Sequence, residues 1–145
     1  MRVRDLLRSK RTIITVHPHD SLDTAVNLLI ANNIGGLPVL GADGAVVGFL
    51  AERDIVRVLH DRREELRSVR VQDAMRAAPI CDIDDTVVDS MRRMTEHRQR
   101  HLVVMDGARL VGLLSVGDII KYRLEQLELE TGVLRDYVAA QRAAH

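Results

Sequence analysis

Two short stretches carry the residue types and spacing best suited to chemistry: Ser115-Val-Gly117-Asp118 and Ala51-Glu-Arg53-Asp54. Each follows an apolar run with strand character and opens a helical one. At the first, Ser115 and the leading backbone N–H groups form a helix N-terminus, where anions are favoured. Asp118 follows three residues later. An ionised carboxylate only accepts hydrogen bonds and a ribose diol donates two, so Asp118 is a candidate nucleoside handle. Ser-x-x-Asp before an apolar run is equally a helix cap that needs no ligand, and the motif alone leaves both readings open. Other reactive types are less organised. His17-Pro-His19 has no acidic or cysteine partner at ligand spacing and reads as a surface turn, so no metal is expected. Asp82, Asp84 and Asp85 read as an exposed turn, and Cys81 and Met75 as packing residues. With no nucleophile–base pair and no Walker-type loop, no catalytic residue is expected.

The elements that hold these residues occur twice. Val3-Arg-Asp5-Leu-Leu7 recurs as Val71-Gln-Asp73-Ala-Met75 at an offset of 68, Leu37-Pro-Val39 as Leu102-Val-Val104 at 65, and Val47-Gly-Phe-Leu50 as Val111-Gly-Leu-Leu114 at 64. The chain is an internal duplication. In the first copy Ile13–Val16 reads as a strand, Ser21 as the cap of a helix running to Ile30, and Gly35-Gly36 as its stop. Leu37–Leu40 and Ala45–Leu50 read as strands joined by a Gly41–Gly44 turn, and Asp54 leads a second helix. This makes an α/β (α+β) fold of two β-α-β-β-α repeats. Each is too small to bury its own sheet, so the repeats are expected to pack sheet to sheet with pseudo-two-fold symmetry. The expected boundaries are 1–60 and 71–124 for the repeats, 61–70 for a linker and 125–145 for a C-terminal amphipathic helix. In that helix Ile120, Leu124, Leu127, Leu134 and Val138 follow a heptad broken by Thr131, suited to docking or dimerising, with a helix that lies across its own domain as the alternative.

Composition narrows the classes. The chain has 145 residues, and 21 Lys+Arg balance 21 Asp+Glu, so no global field draws it to nucleic acid or anionic membrane. Aromatic residues are 2% of the chain, too few to stack unpaired bases. Arg2, Arg4, Arg8, Lys10 and Arg11 form a basic start, but Val3, Leu6 and Leu7 make it read as a docked amphipathic turn. One cysteine, no signal-peptide pattern and no long apolar run give a soluble, cytoplasmic expectation.

The duplicated order, the Val-x-Asp lead-in, Gly-Gly-Leu37-Pro38-Val39 and the twice-occurring Gly-hydrophobic-hydrophobic-x-x-x-Asp-Ile together resemble a tandem pair of cystathionine-β-synthase (CBS) domains, a Bateman module. The resemblance covers residues 3 to 124, and Ile120-Lys-Tyr-Arg123 is similar to the small stand-alone bacterial members. It implies a non-enzymatic adenine-nucleotide sensor that binds AMP, ADP, ATP or NAD(H) between the repeats and signals occupancy to an effector protein, with a homodimer as the assembled form. The alternative is a structural dimerisation module with degenerate clefts. By the resemblance, Ser115, Gly117 and Asp118 form one cleft with Ile14, Ile34 and Gly35. Asp54 and Arg53 form the other with Ile80, Arg100 and His101, where Arg100 would contact phosphate through its fork of donors. A solvated basic face of Arg92, Arg93, Arg98 and Arg100 is the plainer reading. Ala51 stands where a hydroxyl is expected and Val103 where a proline is usual, so the two clefts are expected to differ.

Overall fold

The computed structural model describes residues 1–7 and 12–143; Arg8, Lys10 and Arg11 of the basic start lie outside them. Equivalent residues build the two repeats by the same local devices. Ser21 starts helix α2 (Leu22–Asn32) by accepting the Thr24 N–H at 3.1 Å, and Thr86 starts α5 (Val87–Glu96) by accepting that of Asp89 at 3.1 Å. The stops correspond too. Asn33 and Arg98 take left-handed backbone (φ 51 and 52), and the next N–H groups, of Ile34 and Gln99, bond back to Leu29 and Met94. The helix stop is therefore Asn33, two residues before the expected Gly35-Gly36. Those glycines serve packing, since a Cβ on Gly36 would run into the Phe49 ring.

Strands β1 (Gly36–Leu40) and β2 (Val46–Ala51) form an antiparallel hairpin whose turn has Gly44 at φ 83, a conformation that L side chains rarely adopt. In the second repeat β3 (Ile80–Asp82) runs parallel to β4 (His101–Asp106), which pairs antiparallel with β5 (Arg109–Ser115). The strand expected over Ile13–Val16 is cut down to one bridge, Val16 to Val39. Proline explains the loss. In the second repeat the Val103 N–H bonds to the Pro79 carbonyl, whereas Pro38, at the equivalent place, has no N–H to give Ile14.

The lead-in segments pack on the opposite repeats. Helix α1 (Val3–Leu7) lies on the second: Val3 donates to the Asp85 carbonyl, Val87 to that of Met1, and Val3, Leu6 and Leu7 join the core of Cys81, Val87, Leu102, Val104, Leu114 and Ile119. Helix α4 (Val71–Ala74) lies on the first, with Val71 donating to Asp20 and Leu22 to Val69, inside the core of Val16, Leu22, Leu29, Leu37, Leu50 and Ile55. This exchange accounts for the glycine in the duplicated motif. A Cβ on Gly48 would stand 2.7 Å from Met75 Sδ, and one on Gly112 2.8 Å from Leu7. A smaller cluster of Phe49, Ala51 and Val103 joins the two sheets. Helix α3 (Glu52–Arg62), with Ile55 in the first core, closes the first repeat, and a 3-10 turn, Leu66–Ser68, leads on towards the second.

The last helix, α6 (Val116–Ala143), runs unbroken for 28 residues from the end of β5, with no boundary at 125. Ile119 is buried in the second core and Tyr122 packs against it, while Ile120, Leu124, Leu127, Leu134 and Val138 are all exposed. The C-terminal helix does not lie across its own domain.

Candidate functional site

The pleat of the two hairpins sets the site. Gly36 pairs with Ala51 at the mouth of β1–β2, and His101 pairs with Ser115 at the mouth of β4–β5. Gly36 and His101 occupy equivalent positions 65 residues apart, and they meet where the repeats cross. A Cβ on Gly35 would lie 3.5 Å from His101 Cε1, an ordinary contact distance, so the glycine pair lies directly against the imidazole. The same ring leans on Phe49, with centroids 5.4 Å apart. Arg100 and His101 thus form a partition with a cleft on either side.

On the first side, a cleft of about 380 Å³ is lined by Gly35, Ala51, Glu52, Arg53, Arg76, Arg100 and His101. Three guanidinium groups face one carboxylate there, which makes it a receptor for an anion. Its floor rests on Asp54, whose side chain has no exposed surface. That carboxylate accepts the Ala51 N–H at 2.8 Å and Arg57 Nη2 at 3.2 Å, and lies 3.4 Å from Arg76 Nε. Only half of a capping box exists here, since Ala51 has no oxygen to return a bond. Arg76 Nε is buried with no hydrogen bond of good geometry. Burial pushes the Arg76 guanidinium down from its ordinary value, with Asp54 acting against the shift.

On the second side, a wider cleft of about 580 Å³ is lined by Thr95, Arg98, Gln99, Arg100, His101, Ser115 and Gly117, among others. Here the capping box is whole. The Ser115 hydroxyl donates to Asp118 Oδ2 at 2.8 Å and accepts the Asp118 N–H at 3.1 Å, while the same carboxylate oxygen accepts the Ser115 N–H at 2.8 Å. Ser115 and Gly117 line this cleft. Asp118 lines a separate groove with Met1, Asp5, Leu6, Lys121, Tyr122 and Glu125. A third cleft, about 370 Å³ and largely apolar, holds Thr12, Ile13, Ile14 and Ile34 against Val111, Gly112 and Leu113.

The residues singled out in the sequence are therefore gathered differently from the two expected sets. Arg53, Arg100 and His101 come together as expected, joined by Gly35 from the other set. Ile14 and Ile34 share the apolar cleft, Ser115 and Gly117 the wide one, and Asp118 a different groove. Asp54 lies beneath the arginines. Ile80 is exposed on β3, where its carbonyl accepts a bond from Arg93. The partition at Arg100-His101 separates the first two clefts, both of which abut it. Arg76 and Glu52 are the lining residues that sequence reasoning missed. Arg76 directly follows the repeated lead-in motif, which is the one signal that marked it.

The remaining reactive groups are structural. Cys81 is buried, and burial pushes its thiol up to about 11. His17 Nδ1 lies 3.1 Å from the Leu40 carbonyl at a turn, and Asp84 pairs with Arg4 at 3.0 Å. Among the described residues, no group of three or more His, Cys, Asp and Glu side chains converges to hold a metal, and no helix is long and apolar enough to cross a membrane.

Comparison with known proteins agrees with this architecture. The chain is 36% identical to a CBS-domain-containing protein of Agrobacterium tumefaciens, whose crystal structure superposes with a TM-score of 0.79 over 84% of this chain and 92% of that one. It is 25% identical to CBSX2, solved in complex with AMP, with a TM-score of 0.73 over 86% of this chain and 96% of that one. Among curated proteins it is 29% identical over 114 residues to inosine-5'-monophosphate dehydrogenase of Methanocaldococcus jannaschii, which is 78% of this chain and 22% of that enzyme. The chain spans between about a fifth and three fifths of the first curated relatives it matches. The family model of the CBS domain matches twice, at residues 3–61 and 71–125. With both repeats matched and the solved relatives sharing the fold, the chain belongs to the CBS domain family.

Proposed function

We propose that this protein is a regulatory module of the cytoplasm that binds an adenosine ligand carrying phosphate between its two repeats, and passes occupancy to an effector protein. The observation that carries the reading is the cationic cleft, in which Arg53 and Arg76 face Arg100 and His101 across the junction of the repeats. A phosphate entering it would meet planar, always-charged donors suited to bidentate contact. The apolar cleft of Ile14, Ile34 and Leu113 is the matching surface for a purine, and Ser115 and Gly117 offer a helix N-terminus to a second phosphate or hydroxyl. The AMP complex of the related CBSX2 supports the ligand class. AMP, ADP, ATP and NAD(H) all fit that description.

Signalling follows from where the cleft lies. The end of β2 and the start of β4 line it, and Phe49, Ala51 and Val103 on the same strands form the contact between the sheets. A ligand that fits one packing of this contact better than another shifts the module by that difference in affinity and no more. One observation favours a second reading, a structural module with an unused first cleft: the Asp54 carboxylate is wholly covered and cannot receive a ribose while Arg76 stands over it. Thermal unfolding against AMP, ADP, ATP, NAD, NADH and S-adenosylmethionine separates the two. A ligand at 100 times its dissociation constant raises the midpoint by about 5 to 10 °C, whereas a structural module is indifferent to all six.

A further inference from the structure

Arg76 covers Asp54 without bonding to it well. Its Nε stands 3.4 Å from Asp54 Oδ2, buried, and has no hydrogen bond of good geometry among the described residues. The main chain of the same residue is firmly held. Its N–H donates to the Phe49 carbonyl at 3.0 Å and its carbonyl accepts the Phe49 N–H at 2.8 Å, so the backbone is fixed while the side chain, 29% exposed, reaches the cleft. Burial disfavours the charge of the guanidinium, Asp54 restores part of it, and Arg53 and Arg57 repel it. An arginine with a fixed main chain and a poorly satisfied head is one that a better acceptor draws away.

The cleft suits such an acceptor. Four guanidinium groups, of Arg53, Arg57, Arg76 and Arg100, stand against the carboxylates of Glu52 and Asp54, which leaves two positive charges over. A phosphate monoester carries about −1.5 to −2 at pH 7 and offers three acceptor oxygens. It would neutralise that surplus and take the Arg76 fork in bidentate contact. Asp54 is not stranded by the exchange, because Oδ1 keeps Arg57 Nη2 at 3.2 Å and Oδ2 keeps the Ala51 N–H at 2.8 Å. What opens is the side that Arg76 covered, where an ionised carboxylate accepts from the hydroxyls of a ribose.

We propose that Arg76 makes sugar recognition in the first cleft conditional on phosphate: phosphate draws the guanidinium off Asp54, and only then does Asp54 receive the ribose. This role rests on the nucleotide reading above. Its signature is linkage, since phosphate and nucleoside added as separate molecules then help each other to bind. Adenosine is titrated calorimetrically into the wild-type chain in potassium chloride and again in inorganic phosphate at matched ionic strength. Phosphate is expected to tighten adenosine about tenfold, the scale of one charge-assisted hydrogen bond. Arg76→Ala, checked for folding by circular dichroism, uncovers Asp54 permanently, so adenosine binds it about tenfold more tightly than wild type and AMP about tenfold more weakly. Adding Asp54→Asn to Arg76→Ala removes the gain in adenosine, which places it at this carboxylate. An arginine that serves only as a structural ion pair produces no such opposite movement of the two ligands. Adenosine binding that phosphate leaves unchanged or weakens, or that a folded Arg76→Ala does not tighten, overturns the role of Arg76 while AMP binding, and the nucleotide reading with it, stands. A wild type that binds neither AMP nor adenosine overturns both. Should Arg76→Ala fail to fold, the phosphate titration of wild type decides alone.

Discussion

The two strand-to-helix junctions, Ala51–Asp54 and Ser115–Asp118, began as the same structure and now do different work. Both place a carboxylate three residues after the strand, and both carboxylates accept the backbone N–H of the residue that ends it, at 2.8 Å. At the second junction a serine hydroxyl closes the cap, and the helix N-terminus opens into a wide cleft. At the first the hydroxyl is gone, the carboxylate is sealed from solvent, and Arg57 and Arg76 bring two cations to it. A buried carboxylate is tolerated only when paired and hydrogen-bonded, and at the first junction Arg57 and Arg76 supply that pairing where the cap hydroxyl is absent. The comparison teaches that an aspartate at a repeated spacing can be an anchor for neighbouring cations and not itself face a cleft.

Breaking this contrast gives the largest effect. Asp54→Ala leaves Arg76 half-buried opposite no charge and is expected to cost about 2 to 3 kcal/mol in a urea titration. Asp118→Ala removes the part-buried carboxylate that closes the second cap and is expected to cost about 1 kcal/mol; equal losses would mean that the junctions are energetically alike. Ala51→Ser sharpens the contrast in the other direction. It supplies the missing oxygen for the Asp54 N–H and is expected to stabilise by about 0.5 to 1 kcal/mol, read from the same titration. The smallest effect concerns Cys81. With its thiol held at about 11 against an ordinary 9.0, the folded state retains a proton that the unfolded chain releases. Its stabilising contribution is therefore complete below pH 9 and lost as pH rises from 9 towards 11. At pH 8 it carries about a hundredfold less thiolate than an ordinary cysteine, and thiol reagents should modify it correspondingly slowly.

The fold was legible because duplication wrote it twice. Helix caps at Ser21 and Thr86, the Gly41–Gly44 turn and the paired hairpins all follow from local residue chemistry. Two features were not legible for local reasons of their own. Pro38 removed the donor that a first strand over Ile13–Val16 needs, an effect that becomes visible only when the strand partner is known. Asn33 ended α2 because the αL position fell on it, before the more conspicuous glycines. The site was legible in part. Arg53, Arg100 and His101 meet as the family resemblance implied, yet Arg76 arrives from a lead-in segment that packs on the opposite repeat. No periodicity or spacing announces such an exchange; the glycines at 48 and 112, needed for the close approach of Met75 and Leu7, are its only trace in the sequence.

The central claim is that the arginine cleft between the repeats receives a phosphate-bearing adenosine ligand. The most direct measurement is a calorimetric titration of ligand-free protein with AMP and with adenosine, repeated on Arg100→Ala shown by thermal unfolding to be folded. The account predicts that AMP binds at least about tenfold more tightly than adenosine, and that Arg100→Ala abolishes most of that preference. Equal affinity for AMP and adenosine, or a preference for AMP untouched by the loss of Arg100, would contradict it.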